Sequence, residues 1–184
     1  MANKSKICFL GWYYSNYFYK SIKKMIQLKT PFSICIIGST GVGKTTFVNS
    51  IIKDVHSSNI IKYDPFNEYD KGYDIEIDSF LQLDYTNKLI IIEEATSVLT
   101  FYNRLDVVKM LTRRRHNNVS SIFVFHSIRS IPVYIFDFLD GIFFFRTNDR
   151  RDIVEKKYKD IINPELLDKI TNLPHYKYIY LHLR

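Results

Sequence analysis

Cysteine is scarce in this 184-residue chain, which carries only Cys8 and Cys35. Two cysteines, one of them inside an apolar run, build neither a disulfide framework nor a cysteine metal cluster, and the usage fits a reducing compartment. No apolar run crosses a bilayer as a helix, which takes about 20 residues. The greasiest stretch, Ile122 to Phe145, is interrupted by His126, Arg129, Asp137 and Asp140. Residues 7–14 are apolar but short, and no small-residue cleavage site follows, so no signal peptide is expected. Repeats, low-complexity tracts and Gly/Ser linkers are missing too. One domain over residues 31–184, preceded by a short extension over 1–30, is the expectation.

Hydrophobic residues make up 46% and charged residues 24%, a globular balance that excludes a disordered chain. The 14 Tyr and 14 Phe predict a core filled with rings. A net charge of +7 favours polyanion partners through counterion release, although many basic chains bind no nucleic acid. In the extension, Phe18, Ile22, Met25 and Ile26 fall at helical spacing with Lys20, Lys23 and Lys24 between them. Such a basic amphipathic helix either packs on its own domain or lies on a membrane or partner.

Short apolar runs alternate with helical patterns. Strands are expected over Phe32–Ile37, Ile60–Tyr63, Leu89–Ile92, Ser121–Phe125 and Ile142–Phe145, with an alternating edge strand over Tyr178–Leu183. Helices are expected over Thr45–Val55, Ile77–Leu83, Ala95–Thr112, Arg150–Tyr158 and Pro164–Ile170. This alternation predicts a doubly wound α/β sheet with right-handed crossovers.

Between the first strand and the first helix stands Gly38-Ser39-Thr40-Gly41-Val42-Gly43-Lys44-Thr45, a complete G-x-x-x-x-G-K-[ST] phosphate loop followed by Thr46. Glycines let the backbone wrap a polyphosphate, and the helix beyond adds its positive end. Lys44 brings a full charge to the β and γ phosphates, and the Thr45 hydroxyl is a Mg²⁺ ligand. ATP with Mg²⁺ is the implied ligand. At the tip of the third strand, Glu93 and Glu94 follow an apolar run, where α/β sheets bind ligands. Glu93 is assigned to Mg²⁺ through water and Glu94 to the attacking water as general base. The pair has the form of a Walker B element with Glu93 where Asp is usual, which leaves open which glutamate takes which task.

Further motifs follow in order: Asp64-Pro65-Phe66-Asn67-Glu68-Tyr69 after the second strand, Arg113-Arg114-Arg115-His116-Asn117-Asn118, His126-Ser127-Ile128-Arg129-Ser130-Ile131-Pro132, and Phe143-Phe144-Phe145-Arg146-Thr147-Asn148-Asp149. Each alone reads as a turn, a solvated helix end or a core histidine. Taken together from Phe32 onward, the series resembles the HerA–FtsK superfamily of DNA-pumping ATPases. It looks most like the genome-packaging ATPases of tailless, membrane-containing DNA viruses and of poxviruses. The resemblance implies a RecA-like P-loop fold and ATP hydrolysis coupled to moving DNA, double-stranded in packaging. It also implies a homo-oligomeric ring, commonly a hexamer, with a capsid vertex or membrane protein as further partner. The host cytoplasm and the virion are the implied locations. His126 takes the place of the family's γ-phosphate sensor, where a ring N–H makes the contact pH-sensitive. Arg115, eleven residues earlier, takes the place of an arginine finger that reaches into the next subunit, with Arg113 and Arg114 as alternatives.

Two other classes stay open: a membrane-linked assembly, secretion or DNA-transfer motor, and a small nucleoside or nucleotide kinase with Arg113–Arg115 as part of a lid. The phosphate loop gives the first test. Lys44→Ala is expected to abolish hydrolysis and greatly weaken ATP binding, measured by phosphate release and calorimetry. Hydrolysis at the parent rate would remove the assignment.

Overall fold

The computed structural model describes residues 31–76, 85–99 and 103–183. The basic extension and the helix expected over Ile77–Leu83 lie outside them. Seven strands form one sheet: β1 (Ser33–Ile37), β2 (Ile60–Tyr63), β3 (Tyr73–Asp74), β4 (Leu89–Ile92), β5 (Ser120–Phe125), β6 (Gly141–Phe144) and β7 (Ile179–His182). Their order is β3-β2-β4-β5-β1-β6-β7. Every pairing is parallel except β6 with β7, which runs antiparallel at the edge. Five helices accompany them among the described residues: α1 (Lys44–Ile52), α2 (Ala95–Val98), α3 (Arg104–Arg113), α4 (Arg151–Tyr158) and α5 (Pro164–Thr171). The mainly parallel α/β expectation holds.

The strands are apolar at nearly every position because both faces of the sheet are covered. Side chains alternate between faces. Ile34, Ile36, Ile91, Ile122, Val124 and Phe143 meet Phe47, Val48, Ile51 and Ile52 of α1 on one side. Cys35, Ile37, Ile90, Ile92, Phe123, Phe125, Ile142 and Phe144 meet Val98, Val107, Val154 and Leu167 on the other. Rings fill the first face: Phe47 lies 4.9 Å from both Phe143 and Tyr178, and Tyr180 lies 4.6 Å from Phe143. The Cys35 thiol is buried and unbridged, and burial raises its pKa.

The single helix expected over Ala95–Thr112 is instead two. α2 ends at Leu99, whose ψ of 52° leaves the helical region, and Asn103 Nδ2 donates to the Val98 carbonyl at 3.2 Å. The side-chain amide thus satisfies a carbonyl that a continuing helix would have used. The two-residue β3 escaped the sequence reading because both its residues are exposed.

The parallel strands send all their C-terminal ends to one edge, and the phosphate loop stands there on β1. The opposite edge is fastened by Arg114. Its guanidinium grips Asp140 through both nitrogens at 2.9 and 3.0 Å, and Asp140 also accepts from Ser33 N at 2.7 Å. The pair ties the α3–β5 turn to the starts of β1 and β6. Arg114 is therefore a buried structural residue, which corrects its candidacy as a finger. Arg113 and Arg115 are exposed.

Breaking a buried pair costs about 3–5 kcal/mol, whereas exposed substitutions stay within about ±0.5 kcal/mol. Thermal and urea melts are therefore expected to show Arg114→Ala strongly destabilised and Arg115→Ala like the parent. Equal melts for the two would show that the Asp140 contact does not fasten this edge.

Candidate active site

The site is built from the tips of five strands. Gly38 N donates to Phe125 O at 3.1 Å and Ser39 N to Arg146 O at 2.9 Å, so the loop hangs between the ends of β5 and β6. Gly41 and Gly43 adopt φ of +78° and +103°, left-handed values that glycine takes without strain. Gly43 is also the N-cap of α1, and no side chain caps that helix. Its first N–H groups have no intrahelical partner, which is how a helix start receives an anion. Gly41, Gly43, Thr40, Lys44, Thr45 and Thr46 line one groove together with Glu68, His126 and Tyr176. Val42 turns its side chain into the core instead.

Lys44 is only 5% exposed. Its Nζ donates to Ser39 O at 3.1 Å and stands 3.2 Å from His126 Nδ1. Burial lowers the Lys44 pKa, while Glu93, Glu68 and Glu94 hold its charge in place. An ammonium only donates, so Nδ1 accepts and the ring proton of His126 sits on Nε2. That nitrogen pairs with Glu94 Oε1. Lys44, His126 and Glu94 thus form one chain of contacts across the mouths of β1, β5 and β4. Glu94 sits at φ +50°, a left-handed conformation that costs a non-glycine residue about 1–3 kcal/mol and clusters at functional sites.

Glu93, the neighbouring carboxylate, has a partner of its own. It is 2% exposed and accepts from the Tyr69 hydroxyl. Burial pushes its pKa up to about 7, opposed by the Tyr69 hydrogen bond and Lys44, with Glu68 and Glu94 adding to the rise. The Tyr69 hydroxyl is itself raised by burial and by Glu93.

Glu68 and Tyr69 are site residues that the sequence reading passed over. Both come from the Asp64–Tyr69 segment, which is a turn with a purpose. Buried Asp64 accepts from Glu68 N and Tyr69 N, each at 2.9 Å, and from the Lys62 ammonium at 3.1 Å. This staple presents Glu68 to the Thr45 hydroxyl, which donates to it, and Tyr69 to Glu93. The Asp-x-x-x-Glu-Tyr spacing after a strand was the signal. Donor atoms of Glu93, Glu94 and His126 also lie within 4.8 Å of one another.

Arg115 is not brought to this site. It stands before β5 and His126 after it, and six strand residues span about 20 Å. The nucleotide edge carries Arg129, exposed beyond His126, and Arg146, whose guanidinium meets His175 Nε2 at 2.7 Å.

A phosphate loop on an inner strand of a mainly parallel sheet, with an uncapped helix behind it and a carboxylate pair at the tip of β4, defines a P-loop NTPase. The family model for the KAP family P-loop domain matches residues 13–163. The chain belongs to that family. No curated protein matches the chain. Among solved structures, it resembles the genome packaging NTPase B204 from Sulfolobus turreted icosahedral virus 2. The AMPPCP complex aligns with a TM-score of 0.64 and 17% identity over 83% of this chain and 93% of that one. The sulfate complex gives 0.63 and 17% over 84% and 92%. The DNA-packaging ATPase B204 from Sulfolobus turreted icosahedral virus gives 0.62 and 17% over 83% and 93%. At this identity the likeness is one of fold, and at that level the resemblance to packaging ATPases holds.

Asp64 gives the test. Asp64→Ala strips Lys62 of a buried partner and releases the turn, so a stability loss of about 3 kcal/mol or more is expected together with loss of ATPase activity. Glu68→Ala, on an exposed side chain, is expected to melt within about 0.5 kcal/mol of the parent. An Asp64→Ala protein with parent stability would show that the turn holds itself.

Proposed function

We propose that this protein hydrolyses ATP and couples hydrolysis to moving double-stranded DNA as a homo-oligomeric ring, in the packaging of a viral genome. The observation that carries the hydrolytic part is the Lys44–His126–Glu94 chain of contacts at the mouth of the phosphate loop. Lys44 exchanges Ser39 O and His126 for phosphate oxygens when nucleotide binds. Glu94 takes a proton from the attacking water, oriented by the Nε2–H of His126. His126 then reports the state of the γ-phosphate to Lys44 and Glu94 at once.

The oxygen donors suit a hard divalent cation. Thr45, Glu68 and Glu93 supply oxygen only, and the raised pKa of Glu93 marks a buried carboxylate short of positive charge. Thr45 and Glu93 would hold Mg²⁺, with Glu68 releasing the Thr45 hydroxyl. When bound, the ion neutralises charge on the β and γ phosphates.

DNA as the polyanion is supported by the net charge of +7 and by the fold likeness to B204, a genome packaging NTPase. The membership in the HerA–FtsK superfamily read from the sequence, the hexameric ring and the host-cytoplasm or virion setting belong to this reading. A kinase lid built from Arg113–Arg115 is disfavoured, because Arg114 is spent on Asp140 at the far edge of the sheet. Among the described residues no helix is long and apolar enough to cross a membrane.

Phosphate release is expected to rise on adding duplex DNA of any sequence, and to fall with salt. Glu94→Gln is expected to slow turnover roughly a hundredfold to ten-thousandfold, and Arg115→Ala about a thousandfold. Mixing these two variants restores part of the activity where one subunit's Arg115 serves another's Glu94 site. Arg146→Ala mixed with Glu94→Gln restores nothing if Arg146 acts within its own chain. Unchanged activity on adding DNA, from a protein that stays monomeric, would overturn the motor reading.

A further inference from the structure

The segment that leads into β7 lies over the phosphate loop. Tyr176 N donates to Val42 O at 3.0 Å, and His175 Nδ1 stands 3.4 Å from Gly41 O. Arg146 fixes the other nitrogen of His175 from the tip of β6. Within this strap Tyr176 adopts φ +61°, a conformation unfavourable for a bulky aromatic residue. The residue is 66% exposed. Yet its ring lies so close to Gly43 that a Cβ there would come within 2.5 Å of Cδ1. The fold therefore holds a large ring open to solvent beside the loop on a left-handed backbone.

The strand order says which end of the groove this is. Glu68, Glu93, Glu94 and His126 come from the tips of β2, β4 and β5, on one side of β1. Tyr176 comes from the β6–β7 side, on the other. A nucleotide anchored by its phosphates, with its terminal phosphate toward Glu94 and His126, carries its nucleoside toward Tyr176. Among the described residues, His175 and Arg146 beside it are engaged with each other, and the groove threonines that are not held by Glu68 are Thr40 and Thr46, each offering one hydroxyl. Neither presents the paired donor and acceptor that distinguish adenine from guanine.

We propose that Tyr176 is the platform on which the nucleobase of a purine nucleoside triphosphate stacks, and that the site takes ATP and GTP alike. This rests on the reading of Gly38–Thr45 as the nucleotide site. Stacking uses the π-face that every base has, so it gives affinity with little base selectivity.

The test is calorimetric titration of the full chain with ATP, GTP and inorganic tripolyphosphate, each with magnesium. Tyr176→Ala is expected to weaken ATP and GTP about tenfold to a hundredfold and tripolyphosphate less than about twofold. Tyr176→Trp is expected to keep the nucleotide affinity. Tyr176→Gly relieves the left-handed backbone and is expected to behave as the alanine variant does. Equal losses for ATP and tripolyphosphate would overturn the proposal, because Tyr176 would then only brace the loop. So would undiminished nucleotide binding, including the case where the variant loses single-stranded DNA instead. A parent preference for ATP over GTP of more than about a hundredfold would refute base-blind stacking. A parent protein that binds neither nucleotide nor tripolyphosphate overturns the nucleotide reading itself, and this proposal with it.

Discussion

Lys44 faces Glu68, Glu93 and Glu94 from a buried position, and the charge state of the whole site turns on that arrangement. Three carboxylates against one ammonium leave the mouth of the phosphate loop acidic, although the chain as a whole carries +7. A polyphosphate is repelled by such a site and attracted by the uncapped start of α1. The balance tips when a divalent cation accompanies the phosphate, because a bound cation inverts the local charge logic. Burial of Glu93 carries the same message from the other side. A carboxylate held at about 7 by desolvation is one whose charged form Tyr69 and Lys44 do not fully compensate. The acid excess is thus a physical reason to expect cation dependence, independent of any relative.

Two ion pairs keep this acidic mouth in register. At the nucleotide edge, Lys62 and Asp64 hold the turn that delivers Glu68 and Tyr69. At the opposite edge, Arg114 and Asp140 hold the starts of β1 and β6. Both pairs are largely out of water, and buried pairs contribute less to net stability than to fixing one arrangement. Their value here lies in position. The first sets where the carboxylates stand, and the second sets the strands from which the loop and Arg146 project.

The sheet could be read from the sequence because both its faces are covered. Runs such as Leu-Ile-Ile-Ile and Ser-Ile-Phe-Val-Phe have no polar alternation to confuse them with edge strands, and their bounds came within a residue. The phosphate loop was legible for a different reason. Its glycines, lysine and threonine are fixed by chemistry that acts within eight consecutive residues. What escaped depends on contacts across the chain. Glu68 reaches Thr45 over a separation of 23 residues and Tyr69 reaches Glu93 over 24. The partnership of Arg114 with Asp140 spans 26 residues, so nothing local marked it as the buried member of a run of three arginines. Tyr176 was invisible for the same reason, being one tyrosine among 14 until the fold laid it on Gly43. The break between α2 and α3 turns on one amide, Asn103, inside a segment whose apolar spacing runs through it.

The placement of Arg115 constrains how subunits can meet. It sits before β5, at the end of the sheet opposite His126, so no rotation of its side chain brings it to its own phosphate loop. A two-fold dimer pairs like surfaces with like. If the shared surface is the nucleotide edge, both copies of Arg115 face away from it. If it is the far edge, both nucleotides do. A two-fold contact across side faces that span both edges can set Arg115 against the partner's site, and so can a head-to-tail contact of the far edge of one subunit with the nucleotide edge of the next. Such a heterologous contact repeats from subunit to subunit, and it closes into a ring when the rotation allows or else grows into a filament. A role for Arg115 in a neighbour's site is therefore compatible with the assembly that a DNA-encircling motor needs. The complementation between Arg115 and Glu94 variants reads out the interface geometry as much as the chemistry. Arg146 carries the opposite implication, since it already stands on the nucleotide edge of its own chain, held by His175.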